Sequence, residues 1–332
     1  MRAIRPSSLK EEVLGNAKAN INTMVWSGPG LGKSEIVYQI AHELGAKVFE
    51  IRANLFDPVD VRGGLKVVEQ KDGTYRTRYG VPEDYPDPDY QGTVILLIDE
   101  LPCAPKATQN ALLQLLTMNR VGTYQLPPNT IKIACGNRAK DRAAVHEMPT
   151  PVKTRFAHYE LEPNIDDWAA WAVTHDIDPS IVGFLRFRPA LLHNVDANEN
   201  ASPTPRTWEY VSKKLPFIKD MFYGVASLVG DGAAGEYIAF KSTYGNLPTR
   251  EDLLNKPSTT KVPDDISLLY AICGLITSMV DKTNFNALMK YVKRMPAEFQ
   301  IYVMRDSLAK DRDLIKEQSF TDWTKANADV FL

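Results

Sequence analysis

Cysteine is scarce in this sequence, with three residues among 332. Cys103, Cys135 and Cys273 lie far apart, and no pair of them has the CxxC spacing of a redox or metal-binding motif. Three is also an odd number, so the residues predict neither a disulfide framework nor a zinc site. Buried free thiols are the expected state of all three.

An excess of positive charge is absent as well. The chain has 39 Lys and Arg residues against 41 Asp and Glu residues, which gives a formal net charge of -2. Non-specific nucleic-acid binding needs a concentrated field of basic side chains, so the overall charge does not predict it, although a local patch stays open. The apolar fraction of 44% excludes a mostly disordered chain. The length of 332 residues predicts two or three packed units.

Long apolar runs are also missing. No run approaches the roughly 18 residues that cross a bilayer. Residues 1–6 lack the apolar stretch of a signal peptide. No membrane partner is therefore expected, and the cytoplasm is the expected location.

The first half of the chain alternates short apolar runs with an amphipathic pattern. Lys33–Leu44 places apolar residues at helical spacing and is followed by Gly45. Strands are predicted at residues 21–26, 47–51, 94–98 and 130–135. This alternation predicts an α/β fold in which helices flank a parallel sheet.

Two other parts of the chain have a different character. Residues 57–88 are rich in Gly and Pro, and the Asp72-Gly73 turn between two β-prone runs predicts a protruding hairpin. After Phe156 the strands are expected to stop, and the second half is expected to be mostly α-helical, with a turn-rich stretch at residues 244–263. Helices are predicted at residues 166–175, 179–187, 206–215, 265–280, 285–293 and 297–308.

A glycine-rich segment follows the first predicted strand of this half. It comprises Ser27, Gly28, Pro29, Gly30, Leu31, Gly32, Lys33 and Ser34. Apart from Ser27 in place of the first Gly, it matches the phosphate loop G-x-x-x-x-G-K-[ST]. Glycines let backbone N–H groups surround phosphate oxygens, and the following helix adds its partial positive charge. Lys33 is expected to reach the β- and γ-phosphates of ATP, and Ser34 to bind Mg2+.

Two adjacent acids, Asp99 and Glu100, end the apolar run of residues 94–98. Asp99 is expected to hold the Mg2+ site, and Glu100 to orient and deprotonate an attacking water. A single acid at this position would often only cap the strand, but two acids downstream of a phosphate loop favour catalysis. The pair resembles the Walker B motif of hydrolytic AAA+ ATPases of the P-loop superfamily.

Three further positions match that family in chain order. Asn137 resembles sensor 1, which contacts the lytic water or the γ-phosphate; the alternative is an Asn that caps a turn. Arg155 resembles the arginine finger that contacts the nucleotide of a neighbouring subunit. Arg138 and Arg142 are alternative candidates for the finger. A surface salt bridge is the alternative in which Arg155 has no catalytic role. Arg206 resembles sensor 2, with an exposed Arg at a helix start as the alternative.

Other segments resemble the MoxR-like members of this family. Residues 54–64 and the hairpin that follows are similar to the insertion of these proteins. Residues 101–105, 111–117 and 120–127 are similar to the helix and hairpin after their Walker B strand. The resemblance covers roughly residues 1–215 and departs from the family pattern at Ser27 and at Gly32, where many members have Ala.

The resemblance implies a domain order. Residues 1–160 correspond to the AAA+ nucleotide-binding core, with the hairpin insertion at about residues 54–88. Residues 161–245 correspond to the α-helical lid, and residues 246–332 form a C-terminal helical extension. ATP is preferred to GTP because residues 255–258, Asn-Lys-Pro-Ser, lack the acid of a guanine-binding motif.

The resemblance also implies a function, that of a chaperone-like remodelling ATPase in a homo-oligomeric ring, a hexamer. Its expected client is a protein, and a von Willebrand A domain protein is a possible partner. A nucleic-acid motor or loader, and an ATP-gated assembly scaffold, are the alternatives. Tyr75, Arg76, Arg78 and Tyr79 of the hairpin either contact a client or form a solvated surface.

Overall fold

The computed structural model describes residues 2–138 and 146–327. The chain divides into two compact units, Met1–Glu162 and Pro163–Leu332. The predicted order, a parallel sheet flanked by helices and then a helical region, is confirmed. The division of the second part into a lid and an extension stays a prediction.

A six-stranded parallel sheet forms the centre of the first unit, with the order β1-β10-β2-β9-β6-β3. Two small antiparallel ribbons, β4-β5 and β7-β8, accompany it. Over the described residues the strands are β1 Arg2–Ile4, β2 Asn22–Ser27, β3 Lys47–Arg52, β4 Leu65–Glu69, β5 Tyr75–Tyr79, β6 Val94–Asp99, β7 Arg120–Val121, β8 Tyr124–Gln125, β9 Thr130–Asn137 and β10 Phe156–Leu161.

Helices cover both faces of the sheet. In β6, Leu96 and Ile98 pack into one hydrophobic cluster, whereas Ile95 and Leu97 pack into a second. Because successive side chains of a strand point to opposite faces, a continuous apolar run is expected of a strand buried on both sides. The helices of this unit are α1 Pro6–Lys18, α2 Lys33–Leu44, α3 Pro58–Arg62, α4 Lys106–Met118 and α5 Thr150–Lys153.

The expectation that strands stop after Phe156 is wrong, because β10 runs from Phe156 to Leu161 and lies between β1 and β2. Its sequence, Phe-Ala-His-Tyr-Glu-Leu, has no continuous apolar run, and its four central residues are half-buried. Pairing on both sides and a hydrogen bond from Trp26 Nε1 to His158 Nδ1, 2.9 Å, stabilise it instead. Tertiary pairing therefore outweighs the weak local pattern.

The described residues of the second unit form helices and the turns between them, with no strand. The predicted helices are present, and α11 lies in the stretch predicted to be rich in turns. The helices are α6 Ile165–Ala172, α7 Pro179–Phe187, α8 Pro205–Lys214, α9 Met221–Val229, α10 Asp231–Ser242, α11 Arg250–Asn255, α12 Ile266–Met279, α13 Phe285–Val292, α14 Ala297–Lys310 and α15 Gln318–Ala326. None of the described helices is long and apolar enough to pass through a bilayer.

Two glycines allow α7 and α12 to pack closely. A Cβ at Gly274 would lie 2.6 Å from the carbonyl oxygen of Pro179, and a Cβ at Gly183 would lie 3.0 Å from that of Tyr270. A buried ion pair joins α7 to a third helix, because Arg186 of α7 donates to Asp306 of α14 at 2.5 Å. Burial raises the pKa of Asp306, and the Arg186 guanidinium opposes that shift. Removing Arg186 would leave the Asp306 carboxylate buried without this partner, whereas Arg186 also pairs with Asp166 at 2.9 Å.

Gly136 of β9 permits a similarly close approach in the first unit. A Cβ there would lie 2.3 Å from Cδ of Pro102, a ring that cannot rotate away. We expect Gly136→Ala to lower the free energy of unfolding of this unit by about 1–3 kcal/mol through overpacking, measured by urea denaturation. Gly15→Ala is the control, since Gly15 lies within α1 with no atom near the added Cβ. It should stabilise by about 0.5–1 kcal/mol; an equal effect of both variants would contradict the packing argument.

Candidate functional site

Three neighbouring strands bring the glycine-rich segment, the Asp99-Glu100 pair and Asn137 to one edge of the sheet. β9 lies between β2 and β6, and all three run in the same direction. Ser27 at the end of β2 therefore pairs in register with Asn137 at the end of β9, and Asp99 ends β6 beside them. Ligands of open α/β sheets bind at the carboxyl ends of their strands, so this edge is the candidate site.

The glycine-rich segment connects this edge to α2. Gly30 and Gly32 have φ angles of 73° and 79°, in the left-handed region that favours glycine. Gly32 is the N-cap of α2, which begins at Lys33. The unpaired N–H groups at the helix start and the positive end of the helix dipole together form an anion-binding site.

Lys33 lies inside the site and is 9% exposed. Its Nζ donates to Oδ1 of Asn137 at 2.7 Å and to Oγ of Ser27 at 3.1 Å. Ser27, which replaces the usual first glycine of the loop, is fully buried and donates its own hydroxyl hydrogen to the carbonyl of Gly28 at 2.7 Å. The serine thus adds an acceptor that helps to hold the Lys33 ammonium in place.

Ser34 and Asp99 meet at the candidate metal position. The Ser34 hydroxyl donates to Oδ2 of Asp99 at 2.9 Å, and the backbone N–H of Glu100 donates to the other carboxylate oxygen at 2.9 Å. Hydroxyl and carboxylate oxygens suit Mg2+, which is usually bound by one or two protein oxygens together with water and substrate phosphates. The described residues contain no cluster of three or more His, Cys, Asp or Glu that forms an all-protein metal site. The donor set therefore fits Mg2+ bound with a nucleotide.

Glu100 has an unusual backbone conformation, with φ at 53°. The thiol of Cys103 donates to its Oε2 at 3.2 Å, and Nδ2 of Asn137 lies 3.5 Å from its Oε1. A left-handed conformation of a non-glycine residue costs about 1–2 kcal/mol and is often found at functional sites. The carboxylate is thus held beside Asn137, at the end of the strand that also carries Asp99.

Cys103 is a site residue that the sequence reasoning missed. Cys135 and Cys273 are buried free thiols as expected, but Cys103 is half-buried, so the expectation is wrong there. Burial and the hydrogen bond to Glu100 raise the pKa of the Cys103 thiol to about 12, which keeps it protonated and able to donate. The adjacent Pro102 packs against Gly136, and this contact fixes the turn that carries Cys103.

Arg155 lies at the opposite end of the parallel strands from the phosphate loop of the same chain. It precedes Phe156, which pairs with Asn22 at the start of β2, whereas the loop follows Ser27 at the end of β2. The five intervening steps span about 17 Å at 3.3 Å each. Arg155 is exposed, and its Nη1 donates to the neighbouring Thr154 hydroxyl at 3.1 Å.

The other predicted arginines differ in position. Arg138 follows Asn137 on the phosphate-loop side and pairs with Glu160 at 2.7 Å. Arg142 lies outside the described residues. Arg206 is exposed in the first turn of α8, in the second unit, after the capping residue Thr204. The roles of these arginines stay predictions.

Comparisons with known proteins give remote similarities. No protein-family model matches the chain, and the search of curated proteins finds no match. Among solved structures, a RuvB mutant of Thermotoga maritima is 14% identical, with 96% of this chain and 85% of that chain covered and a TM-score of 0.39. NtrX of Brucella abortus is 14% identical, with 97% and 67% covered and a TM-score of 0.42. Its ADP complex has a TM-score of 0.40, at the same identity and coverage. With TM-scores below 0.5, these similarities carry no weight for function, which is inferred from the site.

The contact between Ser34 and Asp99 generates a metal-specific prediction. We expect Ser34→Ala to weaken ATP binding about tenfold when Mg2+ is present, because one hydrogen-bonding or ligating group contributes about 1.5 kcal/mol. In EDTA the variant and the parent protein should bind equally, as measured by isothermal titration calorimetry. An equal loss in both conditions would show that the hydroxyl contacts the nucleotide or the loop and not the metal.

Proposed function

We propose that the chain is an ATP-hydrolysing AAA+ enzyme of the MoxR-like type, which acts as a ring and couples hydrolysis to conformational work on a client. One observation carries this proposal. The Lys33 ammonium, the Ser34 hydroxyl and the Asp99 carboxylate lie beside a glycine loop at a helix start, with Asn137 and Glu100 next to them. The side chains that phosphate binding, metal binding and water activation would require thus lie at one edge of the sheet.

Phosphate binding uses the loop and Lys33. The loop N–H groups and the ammonium surround the β- and γ-phosphates, and Lys33 exchanges part of its contact with Asn137 for phosphate oxygens. Ser34 and Asp99 would hold Mg2+, which would supply positive charge to neutralise the phosphate oxygens. The lining side chains are buried or half-buried, so their electrostatic interactions are stronger than in water.

Glu100 supplies the base for hydrolysis. A water lies between its carboxylate and the γ-phosphorus, and the Asn137 amide orients that water. The water oxygen bonds to the γ-phosphorus as the bond to the β,γ-bridging oxygen breaks, and the water proton passes to Glu100. The products are ADP and inorganic phosphate. A base is not needed by a scaffold that only binds ATP, so Glu100 favours the enzyme over that alternative.

A ring explains the position of Arg155. Since the backbone of β10 next to Arg155 lies about 17 Å along β2 from the phosphate loop of the same chain, Arg155 serves as an arginine finger for another subunit in this proposal. Repeating such a head-to-tail contact closes a ring, and six subunits is the number implied by the family resemblance. Arg206 acts as sensor 2 in this proposal and couples the second unit to the nucleotide state.

The client and partner follow from the resemblance alone. A protein client, a von Willebrand A domain partner and a cytoplasmic location belong to this proposal. A nucleic-acid motor of the same ATPase class is the second candidate. The exposed basic residues Lys66, Arg76 and Arg78 of the β4-β5 ribbon favour it.

We expect Glu100→Gln to lower the rate of ATP hydrolysis at least about 100-fold while ATP binding is retained, because a general base contributes about 10^2 to 10^4. The variant should accumulate as an ATP-bound assembly, which size-exclusion chromatography with light scattering detects. Glu83→Gln is the control, since Glu83 is exposed on a loop. Normal turnover by Glu100→Gln would remove Glu100 from its assigned role.

Arg155→Ala should keep ATP binding and lose about 10^3 in turnover, as expected of an arginine finger. Mixing it with Lys33→Ala protein should restore activity, because the second protein lends an intact Arg155 to an intact loop. Steady-state phosphate release measures both effects. A partner that carries both substitutions is the control and should restore nothing. If the mixture of single variants also stays inactive, Arg155 does not act in trans.

A further inference from the structure

The β4-β5 ribbon separates its charges onto one face. Lys66 lies directly opposite Arg78, and Val68 lies directly opposite Arg76. Residues opposite each other in an antiparallel pair share a face, so Lys66, Arg76 and Arg78 form one surface, the basic ribbon face. The other face carries Leu65, Val67, Glu69, Tyr75, Thr77 and Tyr79.

The three cations of the basic ribbon face are exposed and unpaired by acids. None of Lys66, Arg76 and Arg78 forms an ion pair with another residue in the ranges 2–138 and 146–327. Like charges directly opposite each other destabilise a ribbon. Residues 62–80 hold five Lys or Arg residues and two acids, so the segment has a net charge of +3 in a chain of net charge -2.

The ribbon is fixed at its base and free along its length. The Gly80 N–H donates to the Gly64 carbonyl at 2.8 Å, and the ring of Tyr79 lies against Gly122. Beyond this base, all of β5 and all of β4 except Val68 are exposed. Isolated hairpins are marginal in water, so these base contacts hold a ribbon that is otherwise presented to solvent.

We propose that the basic ribbon face binds the phosphate backbone of duplex nucleic acid. Arg76 and Arg78 are two residues apart and so about 6.6 Å apart along the strand, with Lys66 across from them. A duplex carries one charge per about 1.7 Å of axis, so its phosphates are dense enough for each of the three cations to contact one. The major groove also admits a two-stranded ribbon.

An acidic protein is a weaker fit to the basic ribbon face. Closely spaced cations match best a partner of continuous high charge density, which the phosphate backbone provides along its whole length. Arg side chains add fork-shaped donors that match two phosphate oxygens. Duplex binding by this face is separate from the protein client of the proposed function, and it requires no nucleotide.

The test uses the full chain and a fluorescein-labelled, mixed-sequence DNA duplex without nucleotide. Fluorescence anisotropy gives affinity from 50 to 200 mM salt. Three phosphate contacts correspond to a slope of about -2.7 in log affinity against log salt, or about a 40-fold loss over this range. Replacing Lys66, Arg76 and Arg78 together by Gln should remove that part of the salt dependence and weaken binding at 50 mM salt.

The opposite face of the ribbon supplies the matched control. Val67→Thr with Tyr75→Thr retains strand-forming residues and all three cations, so its salt slope should equal that of the parent chain. Binding of a fluorescent ATP analogue with Mg2+ is measured for each protein. Loss of that binding would count against the proposed ATPase and leave the DNA result unaffected. Equal DNA binding by the parent and the basic-face variant would overturn the inference, as would poly-L-glutamate competing as well as unlabelled duplex at equal charge.

Discussion

The order of three parallel strands is the constraint on which the candidate site depends. With β9 between β2 and β6, the residues that follow each strand meet at one edge, and Lys33 can contact Asn137 across 104 positions of sequence. An ammonium with little exposure needs such an acceptor, because an unpaired buried charge is costly. Asn137 therefore stabilises the Lys33 ammonium in the site without nucleotide, in addition to its proposed role of orienting the attacking water. Ser27 contributes a second oxygen to the same ammonium, so its departure from the usual glycine adds a contact in this chain.

The parts of the site that the sequence predicts are those fixed by local chemistry. A glycine loop before a helix and two acids after an apolar strand are each contained in eight residues or fewer, and each has a physical reason that holds wherever the motif occurs. Their meeting follows from parallel pairing, which alternating strands and helices already indicate. Cys103 was missed because its role depends on the left-handed conformation of Glu100 and on the approach of Pro102 to Gly136. Neither contact has a periodic signature.

The strand β10 and the second unit show the same limit on a larger scale. The sequence of β10 is too polar to predict a central strand, and its place is set by neighbours on both sides. Six of the ten α-helices described in the second unit are predicted, because apolar residues recur in them at helical spacing; α9, α10, α11 and α15 are not. The packing of these helices is not predicted. The close approach of α7 and α12 depends on Gly183 and Gly274, and Arg186 pairs with Asp306, 120 positions away in the sequence. The predicted lid and extension are thus linked by buried contacts, although each has its own hydrophobic cluster.

Net charge alone does not decide whether this chain has a nucleic-acid partner. A formal charge of -2 describes the distant field, which is screened within about 8–10 Å in physiological salt. Binding to phosphates depends on cations within a few ångströms of one another, and the β4-β5 ribbon concentrates three of them on one exposed face. A solvated ribbon without a partner would be more stable with an acid opposite each cation. The repulsion between Lys66 and Arg78 is therefore a cost that an anionic partner offsets, and it distinguishes this ribbon from an ordinary polar surface.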